Sequence, residues 1–345
     1  MKPQTPLTGI HHISAMTGDA QKNVDFYTRL MGMRAVKKTV NQDSVDVYHL
    51  FYADGDGQAG TDLTFFAFPG VARNRAGAGE INQTILRVAS NDSVAWWKQR
   101  FDTFGVSYGP ETSLQGHLLL PFEDFEGQRL ALMSDEGGDV TIPAGNPWEH
   151  STVPTEHQII GLGAVSITTG RPEATLRMLT EIMGFEIIAD EQGPEHPDHR
   201  IVLLKIHTGG PNGMMIVQVR PDLDMARNGG GGVHHVSFRT KDHDVFSAWN
   251  RYLKESGVQV TDEIDRFYFM AMYFREPGGV LYEISTDGPG FDTDESHETM
   301  GQQLTLPPAF APMREQIEPM LKPLETSFAR VTTEYGEQVP AGVEA

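Results

Sequence analysis

The stretch "GIHHISAMTG", Gly9 to Gly18, is echoed by "GGVHHVSFRT", Gly231 to Thr240. In both stretches two adjacent histidines lie between apolar residues, and a serine follows two places after the second histidine. The alternation of apolar and small polar residues is typical of a short β-strand. Two such strands in one chain indicate internal repetition.

A shift of 152 residues superimposes the first quarter of the chain on the third. The matched pairs are Gly9/Gly161, Ser14/Ser166, Thr17/Thr169, Gly18/Gly170, Met31/Met183, Gly32/Gly184 and Pro69/Pro221. The second and fourth quarters match more faintly when Thr84 is aligned with His235 and Leu132 with Glu283. The pattern predicts four βαβββ modules, at residues 8–70, 80–137, 158–221 and 231–288, because one supersecondary unit per repeat is the usual meaning of such a period.

Within the first module the spacing predicts a strand over Ile10–Met16 and a helix over Asp19–Met31. Asp19 suits the N-cap of that helix, and Gly32 suits its C-terminal stop. A later run, "EHPDH" at residues 195–199, has chelating residue types, but its glycine- and proline-containing surroundings predict an exposed hairpin tip.

The amino-acid composition limits the possible binding partners and the possible metal ligands. The 345 residues carry a net charge of −20, with 47 acidic and 27 basic residues, which argues against nucleic acid or an anionic membrane as a partner. The absence of cysteine excludes disulfides, thiolate metal sites and cysteine nucleophiles, so a metal would have to bind His, Asp or Glu. No stretch predicts a signal peptide or a membrane span, and we expect a cytoplasmic protein.

Four βαβββ modules, opened by a strand with His and closed by one with Glu, resemble the vicinal oxygen chelate superfamily. That superfamily includes glyoxalase I, bleomycin-resistance proteins and extradiol ring-cleaving dioxygenases, and the resemblance covers the chain to about Gly290. It implies an α+β fold with four βαβββ modules in two tandem halves, whose curved mixed sheets surround a metal-binding cup. We expect a first pair of modules at 1–145, a linker at 146–157, a second pair at 158–290 and a C-terminal tail at 291–345.

The resemblance places metal ligands on the first and last strands of paired modules. Since successive strand residues point to opposite faces, only one histidine of each pair is expected to face the cup. The apolar face of each strand should cover the helix of its own module, which leaves His12 and His235 facing the cup. The same alternation places Glu283 of the closing strand in the cup. Only the pairing of modules one and four collects all three, with Phe65 at the fourth position, so the predicted site spans both halves.

A set of three ligands, with Phe65 in place of a fourth, leaves open positions on the ion. Two histidines and one carboxylate suit non-haem Fe(II), at which an aromatic substrate and O2 bind side by side. Mn(II), Zn(II) and Ni(II) accept the same ligands. An isomerase or lyase of the glyoxalase type is therefore the alternative, and a metal-free binding module is disfavoured by the three ligands.

Within the superfamily the sequence is most similar to hydroquinone-type ring-cleaving dioxygenases. The matching positions are His11, His12, Ser14, His234, His235, Arg266, Tyr273 and Glu283, followed by a proline-rich tail. The resemblance implies that Tyr273 hydrogen-bonds a bound oxygen or a substrate hydroxyl, and that Arg266 neutralises charge developing on the ring. His11 and His234 are candidate proton carriers, with a pKa near neutrality if unperturbed, or simple supports for the ligands. The expected substrate is a hydroquinone or catechol together with O2, and a homo-oligomer is left open.

Overall fold

The structure is a computed structural model that describes residues 2–193, 196, 198–206 and 209–326. Each of the four predicted modules forms one strand, one helix and three further strands in order. Module one contains β1 Ile10–Thr17, α1 Ala20–Val24 continued by a π-helical turn Asp25–Leu30, β2 Arg34–Asn41, β3 Ser44–Ala53 and β4 Asp62–Ala67. Module two contains β5 Glu80–Val88, α2 Asn91–Phe104, β6 Thr112–Leu114, β7 His117–Glu123 and β8 Arg129–Ser134.

The second half of the chain repeats this order. Module three contains β9 Ile159–Thr169, α3 Pro172–Arg177 continued by a π-helical turn Met178–Met183, β10 Glu186–Gln192, β11 Arg200–Lys205 and β12 Met214–Val219. Module four contains β13 Val233–Thr240, α4 His243–Glu255, β14 Ile264–Asp265, β15 Phe269–Arg275 and β16 Leu281–Pro289. Within its described part, residues 291–326, the tail carries one short α-helix, α5 Arg314–Ile317.

The ends of the first helix follow the predicted signals. The Asp19 side chain accepts a hydrogen bond from the amide of Lys22, which satisfies one of the free N–H groups of the first turn. After the helix, Gly32 has a φ of +68°, a conformation that favours glycine because it has no Cβ. Both predicted boundaries are confirmed.

Two eight-stranded sheets hold the four modules. Their strand orders are β14-β15-β16-β13-β1-β4-β3-β2 and β10-β11-β12-β9-β5-β8-β7-β6. The first sheet joins modules one and four through the antiparallel pair β1 and β13, and the second joins modules two and three through β5 and β9. The pairing of modules one and four, predicted from the ligand count, is confirmed.

The helices cover the outer faces of the sheets. One apolar cluster collects side chains from all four modules, among them Tyr27, Trp97, Leu179 and Trp249, each fully buried. The opposite, inner faces of the first sheet form the cup. The hydrophobic effect therefore packs the outer faces against the helices, while the inner face of the first sheet carries polar side chains together with aromatic rings.

The predicted alignment of modules two and four is wrong by one residue. A bidentate ion pair joins Arg87 to Asp135 in module two, and its counterpart joins Arg239 to Asp287, so the offset is 152 rather than 151. The residues equivalent to His235 and Glu283 are therefore Gln83 and Ala131, not Thr84 and Leu132. A slip of one residue exchanges the two faces of a strand, and Leu132 accordingly packs in the helix-facing core. The module pairing is unaffected, because neither replacement is an imidazole or a carboxylate.

Three further points concern the periphery. Among the described residues no helix is long and apolar enough to cross a membrane. Of the "EHPDH" run, Glu195 and Pro197 lie outside the described residues, and His196 is exposed. Of the predicted tail, residues 327–345 lie outside the described residues as well.

Candidate metal centre

Three side chains converge in the cup of the first sheet. His12 comes from β1, His235 from β13 and Glu283 from β16, and all three are buried. The Nε2 atom of His235 lies 2.7 Å from Oε2 of Glu283, and that of His12 lies 3.4 Å from the same oxygen. The two Nε2 atoms are 3.3 Å apart. In the part of the chain that the structure describes, this is the one group of three such side chains close enough to hold a metal ion.

The donor set fits a divalent cation. Oε1 of Glu283 accepts a hydrogen bond from the Ser285 hydroxyl at 2.7 Å, but Oε2 is buried and has no hydrogen bond of normal geometry to any described residue. Burial opposes ionisation of this carboxyl, yet His12 and His235 outweigh burial and hold its pKa well below the usual range. A buried carboxylate oxygen aimed between two imidazole nitrogens is an unfavourable arrangement until a cation joins the three.

A β-bulge lies at each histidine pair, and it changes the predicted orientation of the first histidine. In the pairing of β1 with β13, His11 is an extra residue on one strand and His234 is an extra residue on the other. A bulge interrupts the strict alternation of side chains. His11 and His12 consequently lie side by side, with their Nδ1 atoms 2.9 Å apart, and the Nδ1 atoms of His234 and His235 are 2.8 Å apart. The expectation that the two members of a pair point to opposite faces is wrong.

A chain of hydrogen bonds fixes the tautomer of His12. Nε2 of His11 lies 3.0 Å from the carbonyl oxygen of Thr286, which can only accept, so the proton of His11 resides on Nε2. Nδ1 of a neutral His11 then accepts the Nδ1 proton of His12. This leaves the lone pair on Nε2 of His12 directed toward His235 and Glu283, as a metal ligand requires.

The two outer histidines do not keep the near-neutral pKa expected for an unperturbed imidazole. Burial, assisted by the neighbouring His12, lowers the pKa of His11 to about 3. Burial and the neighbouring His235 likewise lower the pKa of His234 to about 3. The lowered pKa favours the neutral form of both rings, in which Nδ1 is able to accept a hydrogen bond from the neighbouring histidine.

A cavity opens onto the three side chains. Its wall combines aromatic rings with short polar side chains. The lining residues are His12, Ser14, Thr39, Asn41, Gln42, Asp43, His49, Phe51, Phe66, His235, Arg266, Tyr268, Phe269, Tyr273 and Glu283. A pocket with this lining, open to the three converging side chains, suits one small aromatic molecule.

Arg266 and Tyr273, both predicted from the resemblance, lie in this wall. The Tyr273 ring centroid is 5.8 Å from that of His235, and the Nε–H of Arg266 donates to the Tyr273 hydroxyl at 3.2 Å. The guanidinium also pairs with Asp43, across the cup, with an N–O distance of 3.0 Å. Burial and the charge of Glu283 raise the pKa of Tyr273, so its hydroxyl stays protonated and can donate.

Phe65 does not occupy the fourth ligand position. Its ring packs on the helix-facing side, 4.6 Å from the ring of Tyr27. The strand registers give the reason: Ser237 is level with Glu283, and Ser14 is level with Thr64, so Thr64 is the counterpart of Glu283. The prediction was displaced by one residue, which exchanges the two faces of a strand.

The correction keeps the set of three ligands. The Thr64 hydroxyl is hydrogen-bonded to the Ser14 hydroxyl at 2.7 Å and lies 3.0 Å from Nε2 of His49, and it carries no charge. His49 itself was missed by the sequence reasoning, although it lines the cavity between Phe51 and Phe66. The alternation of "YHLFY" in β3 would have placed His49 and Phe51 on one face, which was the available signal.

Comparison with known proteins agrees with this geometry. The model of the Glyoxalase/Bleomycin resistance protein/Dioxygenase superfamily matches residues 9–132 and again residues 161–284, two segments that are 152 residues apart. The chain is 42% identical over 319 residues to "Putative ring-cleaving dioxygenase MhqA" of Bacillus subtilis, covering 92% of this chain and 99% of that protein. It is 29% identical over 317 residues to the chlorohydroquinone/hydroquinone 1,2-dioxygenase of Sphingobium indicum, covering 90% and 95%.

A solved structure extends the likeness to three dimensions. The crystal structure of a "putative dioxygenase" from Bacillus subtilis has a TM-score of 0.83 and 34% sequence identity to this chain. It covers 94% of this chain and 99% of that one. The similarity therefore includes both sheets and nearly the full length of the chain.

Proposed function

The chain belongs to the glyoxalase/bleomycin resistance protein/dioxygenase superfamily, and on that premise we propose that it is a metal-dependent dioxygenase that cleaves the ring of a hydroquinone or catechol. The observation that carries the proposal is the buried group of His12, His235 and Glu283 at one end of a cavity lined by aromatic rings. The relatives named as ring-cleaving dioxygenases support the same reaction class.

The expected cofactor is Fe(II), held by Nε2 of His12, Nε2 of His235 and Oε2 of Glu283. When bound, it would supply the redox chemistry that joins O2 to a phenol, which no side chain of this protein provides. The donor set of two neutral nitrogens and one carboxylate also accepts Mn(II), Zn(II) or Ni(II). Elemental analysis therefore identifies the metal that the protein binds.

The side chains of the cup bind and orient the substrate. Phe51, Phe66 and Phe269 offer apolar ring faces against which an aromatic ring can pack. The protonated Tyr273 hydroxyl is placed to donate to a substrate oxygen, and Arg266, which already donates to Tyr273, stabilises negative charge at that oxygen.

We assign His11 and His234 to the support of the ligands and, through it, to proton movement. Each neutral ring accepts a hydrogen bond from the Nδ1–H of the neighbouring ligand histidine. To stay neutral, a ring that takes up a proton at one nitrogen must release a proton from the other nitrogen. The other nitrogen of His11, Nε2, donates to the buried carbonyl of Thr286, whereas His234 is only partly buried. Of the two, His234 is the better placed to exchange a proton with solvent.

The proposal is tested on anaerobically purified protein. Elemental analysis should find about one Fe(II) per chain after loading, and oxygen electrode measurements should show O2 consumption with a hydroquinone or a catechol and loss of the aromatic absorbance of the substrate. The Glu283→Gln variant, which keeps the shape of the side chain but not its charge, is the matched control and should consume no O2. Turnover of a hemithioacetal with Ni(II) or Zn(II), without O2 uptake, would replace the proposal with the isomerase or lyase alternative.

A further inference from the structure

The chain that follows β16 returns to the back of the cup. Residues 291–300, the back wall, contribute two buried apolar side chains, Phe291 and Met300, to a small cluster beside the cavity. The ring of Phe291 is 5.0 Å from that of Phe51 and 5.7 Å from that of Tyr268, both of which line the cavity. The back wall therefore supports side chains that the substrate would contact.

A buried charge cluster fastens the back wall to the sheet. The Lys37 side chain on β2 is fully buried, and its ammonium donates to Asp294 at 2.7 Å and to Glu295 at 2.5 Å. The same ammonium lies 4.8 Å from the centre of the Tyr268 ring. Because a buried ammonium is very unfavourable without partners, both carboxylates are held firmly in place.

Asp294 connects this cluster to the cavity. While one of its oxygens accepts from Lys37, the other accepts a hydrogen bond from the Tyr268 hydroxyl at 3.0 Å. Tyr268 is almost completely buried, and its hydroxyl also lies 3.3 Å from that of Thr305. The orientation of a cavity-lining ring is thus set by a carboxylate that itself lies outside the cavity lining.

The repeat shows that this cluster is not a requirement of the fold. At the 152-residue offset, Lys37 corresponds to Ala189, Tyr268 to Gly116 and Asp294 to Ile142. By contrast, the turn before Tyr268 is repeated, since Phe267 and its counterpart Gln115 both have positive φ, 72° and 50°. The positive-φ turn therefore occurs in both sheets, whereas the described residues at the equivalent positions of the second sheet do not repeat the charge cluster.

We propose that Asp294 is a positioning residue for substrate binding: it holds Tyr268 as a fixed wall against which the aromatic ring of the substrate packs. This inference rests on the proposed function, since it assumes an aromatic substrate in the cup. It assigns the described start of the C-terminal tail to the binding site. A residue that fixes a wall should affect KM and leave the reacting centre, and hence kcat and metal content, unchanged.

The test compares three variants of the full-length, metal-loaded protein. Asp294→Ala removes the acceptor of Tyr268, Tyr268→Phe removes the donor and leaves Lys37 with both carboxylates, and Asp292→Ala changes an exposed carboxylate of the same segment. We expect KM for hydroquinone to rise about tenfold in the first two variants and to stay unchanged in the third, as the loss of one charge-assisted hydrogen bond would cause. The double variant should be no worse than either single one.

Metal content and kcat, measured on the same samples, complete the experiment, with expected values within about twofold of wild type. An Asp294→Ala protein that matches Asp292→Ala, or a Tyr268→Phe protein with unchanged KM, would overturn the inference. If Asp294→Ala does not fold, Tyr268→Phe decides alone. Calorimetric binding of hydroquinone to the Zn(II)-loaded proteins gives the same comparison without turnover, so a wild-type protein that binds hydroquinone but does not cleave it would count against the proposed function only.

Discussion

The side chain of His11 on β1 is hydrogen-bonded to the backbone carbonyl of Thr286 on β16, with Nε2 and the oxygen 3.0 Å apart. This contact joins the first strand of the sheet to its last long strand, 275 residues later in the chain. It also distinguishes His11 from His234, which occupy equivalent places in the sequence, because His234 has no such contact with a backbone carbonyl among the described residues.

His11→Phe should weaken metal binding more than His234→Phe. Without His11 the buried Nδ1–H of His12 loses its acceptor, and loss of such outer partners typically costs about 10–100-fold in metal affinity. His234 is partly exposed, so water can replace it as the acceptor for His235. Competition titration with a chromogenic chelator measures both affinities. Equal losses in the two variants would contradict the distinction.

His12→Ala, His235→Ala and Glu283→Ala should each lose most of the bound metal. Each removes one of three donors whose atoms lie within 3.4 Å of one another. Elemental analysis after gel filtration measures the metal content, and circular dichroism checks the fold. Ser285→Ala is the matched control, since it removes a hydroxyl that is hydrogen-bonded to the same carboxylate and to Ser237 but removes none of the three donors. A variant without His12 that stays fully metallated would show that the three side chains are not the ligand set.

A carboxylate at position 64 should convert the site to four ligands. Thr64 is the counterpart of Glu283, so Thr64→Glu should retain or tighten the metal and suppress O2 consumption, because an open position is lost. Phe65→Glu is the contrasting variant, since its charge would enter the apolar core beside Tyr27 and destabilise the protein by several kcal/mol. Metal affinity, oxygen uptake and urea unfolding separate the two. Full oxygenase activity in Thr64→Glu would count against the assignment.

Asp124 should make stability fall as the pH rises. Burial raises the pKa of this carboxyl from 3.8 to about 6, even though the amides of Glu126 and Gln128 and the Tyr27 hydroxyl donate to it. A raised pKa in the folded state stabilises the protein fully below pH 3.8, and this contribution is lost as the pH rises through about 6. The difference between the folded and unfolded pKa of Asp124 contributes about 3 kcal/mol at most to the free energy of unfolding.

Urea unfolding at pH 5 and pH 7.5 measures this dependence. Asp124→Asn cannot ionise and should flatten the difference between the two pH values, whereas Glu123→Gln, at an exposed neighbouring position, should leave the difference unchanged. A wild-type protein of equal stability at both pH values would contradict the assignment.

Much of the architecture was predictable because it rests on local patterns. The helix that follows Asp19 is encoded by residues close in sequence, and the repeat of Gly9 at Gly161 reveals the period of the modules. Counting imidazoles and carboxylates then selected the pairing of modules one and four, which the strand order confirms. Chemistry therefore gave information on topology that periodicity alone could not.

The finer geometry was not predictable in the same way. A bulge at His11 depends on the register between strands more than 200 residues apart, so the pattern around His11 contains no sign of it. Whether Phe65 or Thr64 faces the cup depends on the register of β4 to within one residue, and the weak sequence similarity between the modules does not determine that register. The contact between Lys37 and Asp294 joins positions without any periodic relation, and only the folded chain brings them together.

Because each sheet takes one module from either side of the linker, neither half of the chain can complete a sheet by itself. Cutting the chain at the linker would leave four groups of strands with unpaired edges at β1, β5, β9 and β13, where the central ladders now run. We therefore expect the two halves to fold and unfold together, with one melting transition, despite the tandem arrangement of their sequence.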